Sequence, residues 1–276
     1  MTIARLIQQI KEKKSFLCIG LDPDLTKIPK HLLSEDDPVF EFNKQLIDAT
    51  HHLAVAYKPN TAFYEALGVK GWISLQKTID YLNQNHPEIF TIADAKRGDI
   101  GNTSTKYAEA FFTAMNFDAI TVSPYMGKDS VEPFLNFDDK FTVLLALTSN
   151  EGSQNFQEKN LTETSKNLFE TVLKESLHWK NSHNLMYVIG ATKVESLKKV
   201  RAIVPHHFLL IPGVGAQGGN LEEVCQYGLN QQIGLLINSS RDIIYAGNEL
   251  DFAQKSMQKA QLLQTEMAAI LSKKGF

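Results

Sequence analysis

The sequence predicts an α/β protein built as a single (β/α)₈ TIM barrel over residues 1–276. Short apolar runs alternate with longer amphipathic stretches along the chain, and eight such strand–helix units fit the usual barrel size of about 250 residues. Charged, polar or glycine-rich residues also follow seven of the eight apolar runs, where barrel enzymes place their functional groups. An open doubly wound sheet is the competing architecture, because its strand–helix units look the same locally.

Each element is predicted from its own pattern. The chain begins with an amphipathic helix over 2–14, which lacks the charged segment and apolar block of a signal peptide. The apolar runs predict the strands Phe16–Leu21, Ala54–Lys58, Phe90–Ala95, Ala119–Ser123, Phe141–Leu147, Leu185–Ile189, Phe208–Ile211 and Leu235–Asn238. Helical periodicity predicts helices over Asp37–His51, Trp72–Asn83, Thr103–Met115, Leu161–Trp179 and Val194–Ile203, and a long closing helix over Glu249–Leu271. No Pro-, Ser- or Gly-rich linker divides the chain, so one domain is expected.

The composition excludes several classes of partner. A net charge of −3 gives no reason to expect nucleic acid or an anionic membrane surface. No apolar run approaches the roughly 18 residues that a membrane-spanning helix needs. Cys18 and Cys225 are too few and too scattered for a disulfide framework, which favours a reducing compartment. The cytoplasm is therefore the expected location.

The segment Asp94-Ala-Lys96-Arg-Gly-Asp99 is the strongest sign of a site. It follows the apolar run Phe90–Ala93, and residues two apart in a strand share a face. Charges so close to an apolar strand end are costly unless they pair with one another. Lys58, which ends another apolar run, extends the set to an alternating Lys-Asp-Lys-Asp array. A structural ion-pair network is the alternative interpretation.

A phosphate site is predicted after the last two strands. The loop 213–219 has four glycines, which let backbone N–H groups approach a ligand closely. Arg241 follows the eighth strand, and its planar guanidinium suits a phosphate group. Barrels commonly bind phosphate with the loops after strands seven and eight. A phosphorylated substrate is therefore expected.

Metal and nucleophilic chemistry are less well supported. The eight histidines form no His-Glu-x-x-His motif, and no Gly-x-Ser-x-Gly or Cys-His signature is present. Asp94 and Asp99 could bind Mg²⁺, but Lys58 and Lys96 supply cations where the metal would lie. No metal and no cofactor are predicted.

These motifs resemble those of the orotidine 5′-phosphate decarboxylase family, in its longer bacterial-type subfamily. The matching segments run from the first strand to the last: Gly20–Asp24, Tyr57–Asn60, Asp94–Thr103, Ser123–Gly127, Leu147–Asn150, Pro212–Gly219 and Asn238–Arg241. The resemblance implies a cofactor-free decarboxylase that makes UMP from orotidine 5′-phosphate, the last step of de novo pyrimidine biosynthesis. The alternatives are a Mg²⁺-dependent sugar-phosphate decarboxylase or synthase of similar fold, and a non-catalytic barrel that binds a phosphorylated ligand.

The resemblance also implies a role for each matching catalytic residue. Lys96 would protonate C6 as CO₂ leaves, Asp94 would lie beside the substrate carboxylate, and Lys58 and Asp99 would complete the array. The implied substrate-binding residues are Asp22, Asn60, Ile100, Thr103, Ser149, Pro212, Gln217, Ser240 and Arg241.

Among these, Asp22 and Thr103 would bind ribose hydroxyls and Ser149 the pyrimidine, while Gln217 and Arg241 would bind the phosphate. The family further implies a homodimer in which Asp99, Ile100 and Thr103 serve the site of the neighbouring subunit.

Overall fold

The predicted barrel is confirmed: eight parallel strands close in chain order, with the last strand beside the first. The structure is a computed structural model that describes residues 1–162, 165–214 and 219–276. The barrel strands are β1 (Leu17–Leu21), β2 (Ala56–Pro59), β3 (Phe90–Arg97), β4 (Ala119–Val122), β5 (Phe141–Leu147), β6 (Leu185–Ile189), β7 (Leu209–Pro212) and β8 (Leu235–Ser239). Their short length and nearly complete burial explain why they appear in the sequence as apolar runs without alternation.

Helices connect and flank these strands. They are α1 (Ile3–Lys13), α2 (Pro38–Thr50), α3 (Thr61–Glu65), α4 (Gly68–Asn85), α5 (Gly101–Ala108), α6 (Lys128–Leu135), α7 (Leu168–Ser176), α8 (Val194–Ile203), α9 (Leu221–Gly228), α10 (Arg241–Ile244) and α11 (Phe252–Lys273). No helix among the described residues is long and apolar enough to cross a membrane.

Two helices differ most from their predicted extents, and smaller differences include α4, which begins at Gly68 rather than Trp72. The helix predicted from Leu161 begins only at Leu168, because Asn160–Leu161 and Lys166–Asn167 pair as a short antiparallel hairpin. Asn167 then starts α7 with a capping box, in which its own N–H donates to the Glu170 carboxylate at 2.9 Å. The helix predicted over Thr103–Met115 ends as α5 at Ala108 and continues as a π-helical segment to Ala114. Capping and helix pitch are local details that apolar periodicity does not report.

The chain divides into two compact units, of which the first comprises Met1–Ala95, Thr113–Asp118 and Asn238–Phe276. Its aromatic core joins α2 to α11, since the stacked rings of Phe42 and Phe252 lie 5.4 Å apart and both side chains are fully buried. Asp37 caps α2 by accepting the N–H of Phe40, which places the apolar face of α2 toward this core. Because the chain divides into these two units, the single domain expected over residues 1–276 remains a prediction.

The second unit comprises Lys96–Phe112 and Ala119–Ile237. One guanidinium organises its C-terminal half. Arg201 on α8 donates to the backbone carbonyls of Gly228, Val204, His207 and Gly234, over distances of 2.6 to 3.1 Å. Burial lowers the pKa of Arg201 to about 10, so the side chain stays charged at neutral pH. This cation therefore ties α8 to the end of α9 and to the turns that precede β7 and β8.

Arg201→Lys is expected to lower the free energy of unfolding by about 2–4 kcal/mol, because an ammonium cannot reach four carbonyls and leaves buried acceptors unpaired. Urea denaturation of variant and wild type measures the change. Arg5→Lys, on the exposed side of α1, is the matched control and is expected to stay within about 0.5 kcal/mol. A loss below about 1 kcal/mol for Arg201→Lys would contradict the assigned role.

Candidate active site

A buried ion pair joins the carboxyl ends of β2 and β3. The Nζ atom of Lys58 lies 2.7 Å from Oδ2 of Asp94, and the two residues are only 5% and 9% exposed. An isolated parallel bridge between Asn60 and Asp94 extends the pairing of these strands at the same level. Sheet register therefore brings together two charges that lie 36 residues apart in the sequence.

Asp22, just after β1, adds a second carboxylate to this group. Its carboxylate accepts hydrogen bonds from the Ser240 hydroxyl and the Asn60 N–H, while its buried Oδ1 atom has no hydrogen-bond partner among the described residues. Burial raises the pKa of Asp22, the Lys58 ammonium opposes that rise, and the Asp94 carboxylate adds to it. The site thus presents a buried oxygen that can accept a hydrogen bond from a ligand.

Lys58 stays charged in this setting. Burial alone lowers the pKa of Lys58, but the carboxylates of Asp94 and Asp22 outweigh it, so that the pKa lies above its ordinary value. The ammonium is therefore a fixed cation between two carboxylates. It occupies a position that a metal ion bound to these oxygens would need.

Support for Asp22 comes from residues that the sequence analysis missed. The Tyr245 hydroxyl donates to the Asp22 carbonyl at 2.7 Å and accepts the Asp24 N–H at 2.8 Å, so one ring fixes the loop after β1. Gly20 is required beside it, because a Cβ there would lie 1.8 Å from the Ser240 hydroxyl oxygen. Tyr245 lies 223 residues from Asp22, and no local pattern marks it.

Lys96 lies in the second unit, two residues beyond Asp94 in β3. Its backbone has a φ of +46°, a left-handed conformation that is uncommon for a residue other than glycine. The Lys96 N–H donates to the Thr121 hydroxyl at 2.8 Å, which holds this conformation against β4. Strained backbone of this kind is concentrated at functional sites. The side chain is exposed in the isolated chain.

Asp99, Ile100 and Thr103, which are predicted to face a partner subunit, come shortly after Lys96 in the chain. The half-buried Asp99 accepts the N–H of Ile100 at 2.8 Å through its own carboxylate, and its carbonyl accepts the Ser104 hydroxyl at 2.6 Å. Ile100 is 54% exposed and Thr103 is exposed as well. The start of α5 therefore presents an acid, an apolar side chain and a hydroxyl on one exposed turn.

Ser149 and Pro212 lie after β5 and β7 in the same unit, and both are half-buried. Gly190 allows the Ser149 loop to approach β6, because a Cβ at Gly190 would lie 2.6 Å from the Ser149 nitrogen. The side-chain oxygen of Gln157 accepts the Thr148 N–H at 2.7 Å and anchors the same loop. Gln157 is a second supporting residue that sequence patterns did not reveal.

Of the residues predicted to bind phosphate, the structure describes Arg241 but not Gln217. Arg241 is exposed at the start of α10, directly after Ser240. Gln217 lies outside the described residues, as does the rest of 215–218. The ends of that loop are held together, since the Gly219 N–H donates to the Gly213 carbonyl at 3.1 Å. Gly213 has a φ of +96°, which explains a glycine at this turn.

The structure thus brings Asp22, Lys58, Asn60, Asp94 and Ser240 into one hydrogen-bonded group within the first unit. Lys96, Asp99, Ile100 and Thr103 follow along β3 and α5 in the second. Each lies at or just after the carboxyl end of a barrel strand, where the sequence analysis expects functional residues.

Three comparisons with known proteins agree on one family. The family model described as "Orotidine 5'-phosphate decarboxylase / HUMPS family" matches residues 15–255. Orotidine 5′-phosphate decarboxylases of Flavobacterium johnsoniae and Christiangramia forsetii are 64% and 61% identical, and each alignment covers 99% of this chain and 100% of the relative. The solved structure of Leishmania donovani OMP decarboxylase is 36% identical with a TM-score of 0.83, covering 98% of this chain and 99% of that chain.

Asp22→Asn is expected to leave the folded state as stable as wild type, or more stable, at neutral pH. The raised pKa of Asp22 means that folding disfavours its ionised form, and this cost grows as pH rises from the ordinary value of 3.8 through the raised pKa. The difference in Tm between Asp22→Asn and wild type should therefore widen over that range and level off above it.

Asp24→Asn is the matched control, and its Tm should lie below that of wild type at neutral pH. Hydrogen bonds from Thr26 lower the pKa of Asp24, so its charge contributes stability that is lost as pH falls through the lowered pKa. Thermal denaturation of the two variants from about pH 2 to about pH 8 compares them, because the loss at Asp24 falls below its ordinary pKa of 3.8. A Tm of Asp22→Asn below wild type at neutral pH would contradict the assigned cost.

Proposed function

Because the chain belongs to the orotidine 5′-phosphate decarboxylase family, we propose that it converts orotidine 5′-phosphate into UMP and CO₂. This reaction is the last step of de novo pyrimidine biosynthesis. The observation that carries the proposal is the buried Lys58–Asp94 ion pair at the strand ends, with Lys96 two residues further along β3. Such an ion pair holds charged side chains in fixed positions, so that they can act on a reacting carbon without a cofactor.

The chemistry requires such charges. When the bond between C6 and the carboxylate breaks, the electron pair stays on C6, and no adjacent carbonyl spreads the resulting charge. A cation held at that carbon stabilises the developing carbanion, and the same group can then donate a proton to it. Lys96 supplies both functions, and solvent restores its proton after UMP leaves.

The two lysines take different roles. The Lys58 ammonium is buried and donates to Asp94 at 2.7 Å, which makes it a holder of the array. Lys96 has an exposed side chain on a backbone in an uncommon conformation, which suits a group that meets the substrate. Asp94 lies beside the substrate carboxylate and disfavours it in the ground state, and Asp99 completes the alternation of charges.

Substrate binding uses the remaining residues. The buried Oδ1 of Asp22 accepts a ribose hydroxyl, which satisfies an oxygen otherwise without a partner among the described residues. The ends of β2, β7 and β8 supply Asn60, Pro212 and Ser240 around the nucleotide, and Ser149 meets the pyrimidine. Arg241, together with Gln217, binds the phosphate through charge-assisted hydrogen bonds.

A Mg²⁺-dependent reaction on a sugar phosphate is disfavoured by the Lys58 ammonium, which already pairs with Asp94 and interacts with the charge of Asp22. The direct test follows the loss of orotidine 5′-phosphate absorbance with purified, exhaustively chelated protein. Full activity after chelation supports the cofactor-free decarboxylase. Activity restored only by Mg²⁺ points to the metal-dependent alternative, and no turnover points to a binding protein.

The proposed setting is the cytoplasm. Cys18 and Cys225 are both buried as thiols, which suits a reducing compartment. The proposed partners are the nucleotide substrate and a second copy of the chain, with no nucleic acid and no membrane.

Lys96→Ala is expected to lower kcat/KM by at least about 10⁴-fold, because it removes the proton donor and the cation facing the carbanion together. Absorbance assays measure the loss, and circular dichroism and Tm check that the fold is retained. Lys199→Ala, an exposed lysine of α8, is the control and should keep full activity. Activity of Lys96→Ala within about tenfold of wild type would contradict the assignment.

We also propose a homodimer with shared sites. Asp99, Ile100 and Thr103 lie on one turn that is partly or fully exposed in the isolated chain, and the 54% exposure of Ile100 suits an apolar contact with another subunit. In this arrangement each site takes Lys96 from one chain and Asp99 from the other.

Refolding Lys96→Ala and Asp99→Ala together tests the arrangement. Each variant alone lacks one catalytic group in every site. In a mixed dimer one site collects both defects and the other none, so equal amounts leave roughly a quarter of all sites intact. A size tag on one variant confirms that hybrids form, and each variant refolded alone is the control. Hybrids without recovered activity would show that Asp99 serves its own chain.

A further inference from the structure

A group of metal-binding side chains lies in the first unit, away from the residues assigned to the reaction. His51 follows α2, His86 follows α4, and Glu88 lies in the connection that leads into β3. His51 precedes β2, and His86 and Glu88 precede β3, whereas the proposed catalytic residues lie at or beyond the carboxyl ends of these strands. Glu88 lies six residues before Asp94, about 20 Å along extended chain.

The three side chains converge. Among the described residues they form the one group of His, Cys, Asp or Glu side chains whose ligand atoms all lie within 4.8 Å of one another. The imidazole rings of His51 and His86 have centroids 4.3 Å apart, and all three residues are half-buried. A tetrahedral ion with bonds of about 2.0–2.2 Å needs donors roughly 3.3–3.6 Å apart, so small side-chain rotations complete the geometry.

Lys13 is a cation whose charge acts on both Glu88 and His51. Its ammonium donates to the backbone carbonyls of His51 at 2.8 Å and Ala54 at 2.9 Å. The lysine therefore holds the end of α2 in place through the backbone. The imidazole of His51 remains available for a ligand.

The donor set selects the ion. Two imidazoles and one carboxylate suit Zn²⁺ and similar transition metals, whereas Mg²⁺ and Ca²⁺ prefer oxygen ligands alone. We propose that His51, His86 and Glu88 bind one Zn²⁺ ion, with water in the fourth position. The ion joins the ends of α2 and α4 to the connection that leads into β3, and so cross-links these three parts of the chain. Residues on this side of a barrel usually serve stability.

The test uses the full chain, treated with a chelator and then titrated with zinc sulfate against a chromophoric chelator. One zinc per chain is expected to bind wild type. His86→Gln and Glu88→Gln should each weaken this affinity by at least about tenfold, as loss of metal-site groups usually does. His52→Gln is the matched control. The exposed ring of His52 has its centroid 5.6 Å from that of His51, but His52 does not belong to the group.

Thermal denaturation gives a second readout. At about a hundredfold excess of free zinc over Kd, wild type and His52→Gln should melt about 5 °C higher than without zinc. His86→Gln and Glu88→Gln should show no such shift, and their melting without zinc shows whether they fold. If zinc binds all four proteins equally, or binds none of them, the proposed site is wrong. His51→Gln replaces either variant that fails to fold.

Discussion

The buried ion pair between Lys58 and Asp94 is the interaction on which the rest of the site depends. Removing two charges from water is costly, and the cost is recovered only when geometry is good and the remaining polar atoms are satisfied. The 2.7 Å contact and the pairing of Asn60 with Asp94 meet the first condition. When Asp22 is ionised, the group formed by Lys58, Asp94 and Asp22 carries one more negative charge than positive charge. Burial is the main cause of the raised pKa of Asp22, and the Asp94 carboxylate adds to that rise.

Backbone geometry shapes the end of β3. Asp94 stays within regular strand, whereas Lys96 adopts a left-handed conformation that a hydrogen bond to Thr121 maintains. Such conformations cost of order 1–3 kcal/mol and persist only where surrounding structure enforces them. The fold therefore accepts a local cost at the residue that the proposed reaction needs most. Exposed neighbours at the start of α5 fit a site completed by another chain.

Supporting residues are as specific as the site residues. Tyr245 fixes the loop that carries Asp22, and Gly20 keeps room for the Ser240 hydroxyl. Arg201 similarly fixes the turns before β7 and β8, because it donates hydrogen bonds to four backbone carbonyls at once. These contacts do not touch the proposed substrate. Tyr245 and Gly20 act at the carboxyl end of β1, beside the charges of the site, whereas Arg201 acts at the amino ends of β7 and β8.

The sequence by itself determined the barrel, its eight strands and the strand ends at which the candidate site lies. Buried parallel strands appear as apolar runs, and the polar residues that follow them are local features of the chain. Tertiary structure alone decided which distant groups meet, because sheet register and side-chain reach are not written in local periodicity. Lys58 meets Asp94 across 36 residues, and Tyr245 meets Asp22 across 223. For the same reason the four-carbonyl contact of Arg201 escaped prediction. The late start of α7 escaped it for a different reason, because a local cap and a short strand pair leave no mark in apolar periodicity.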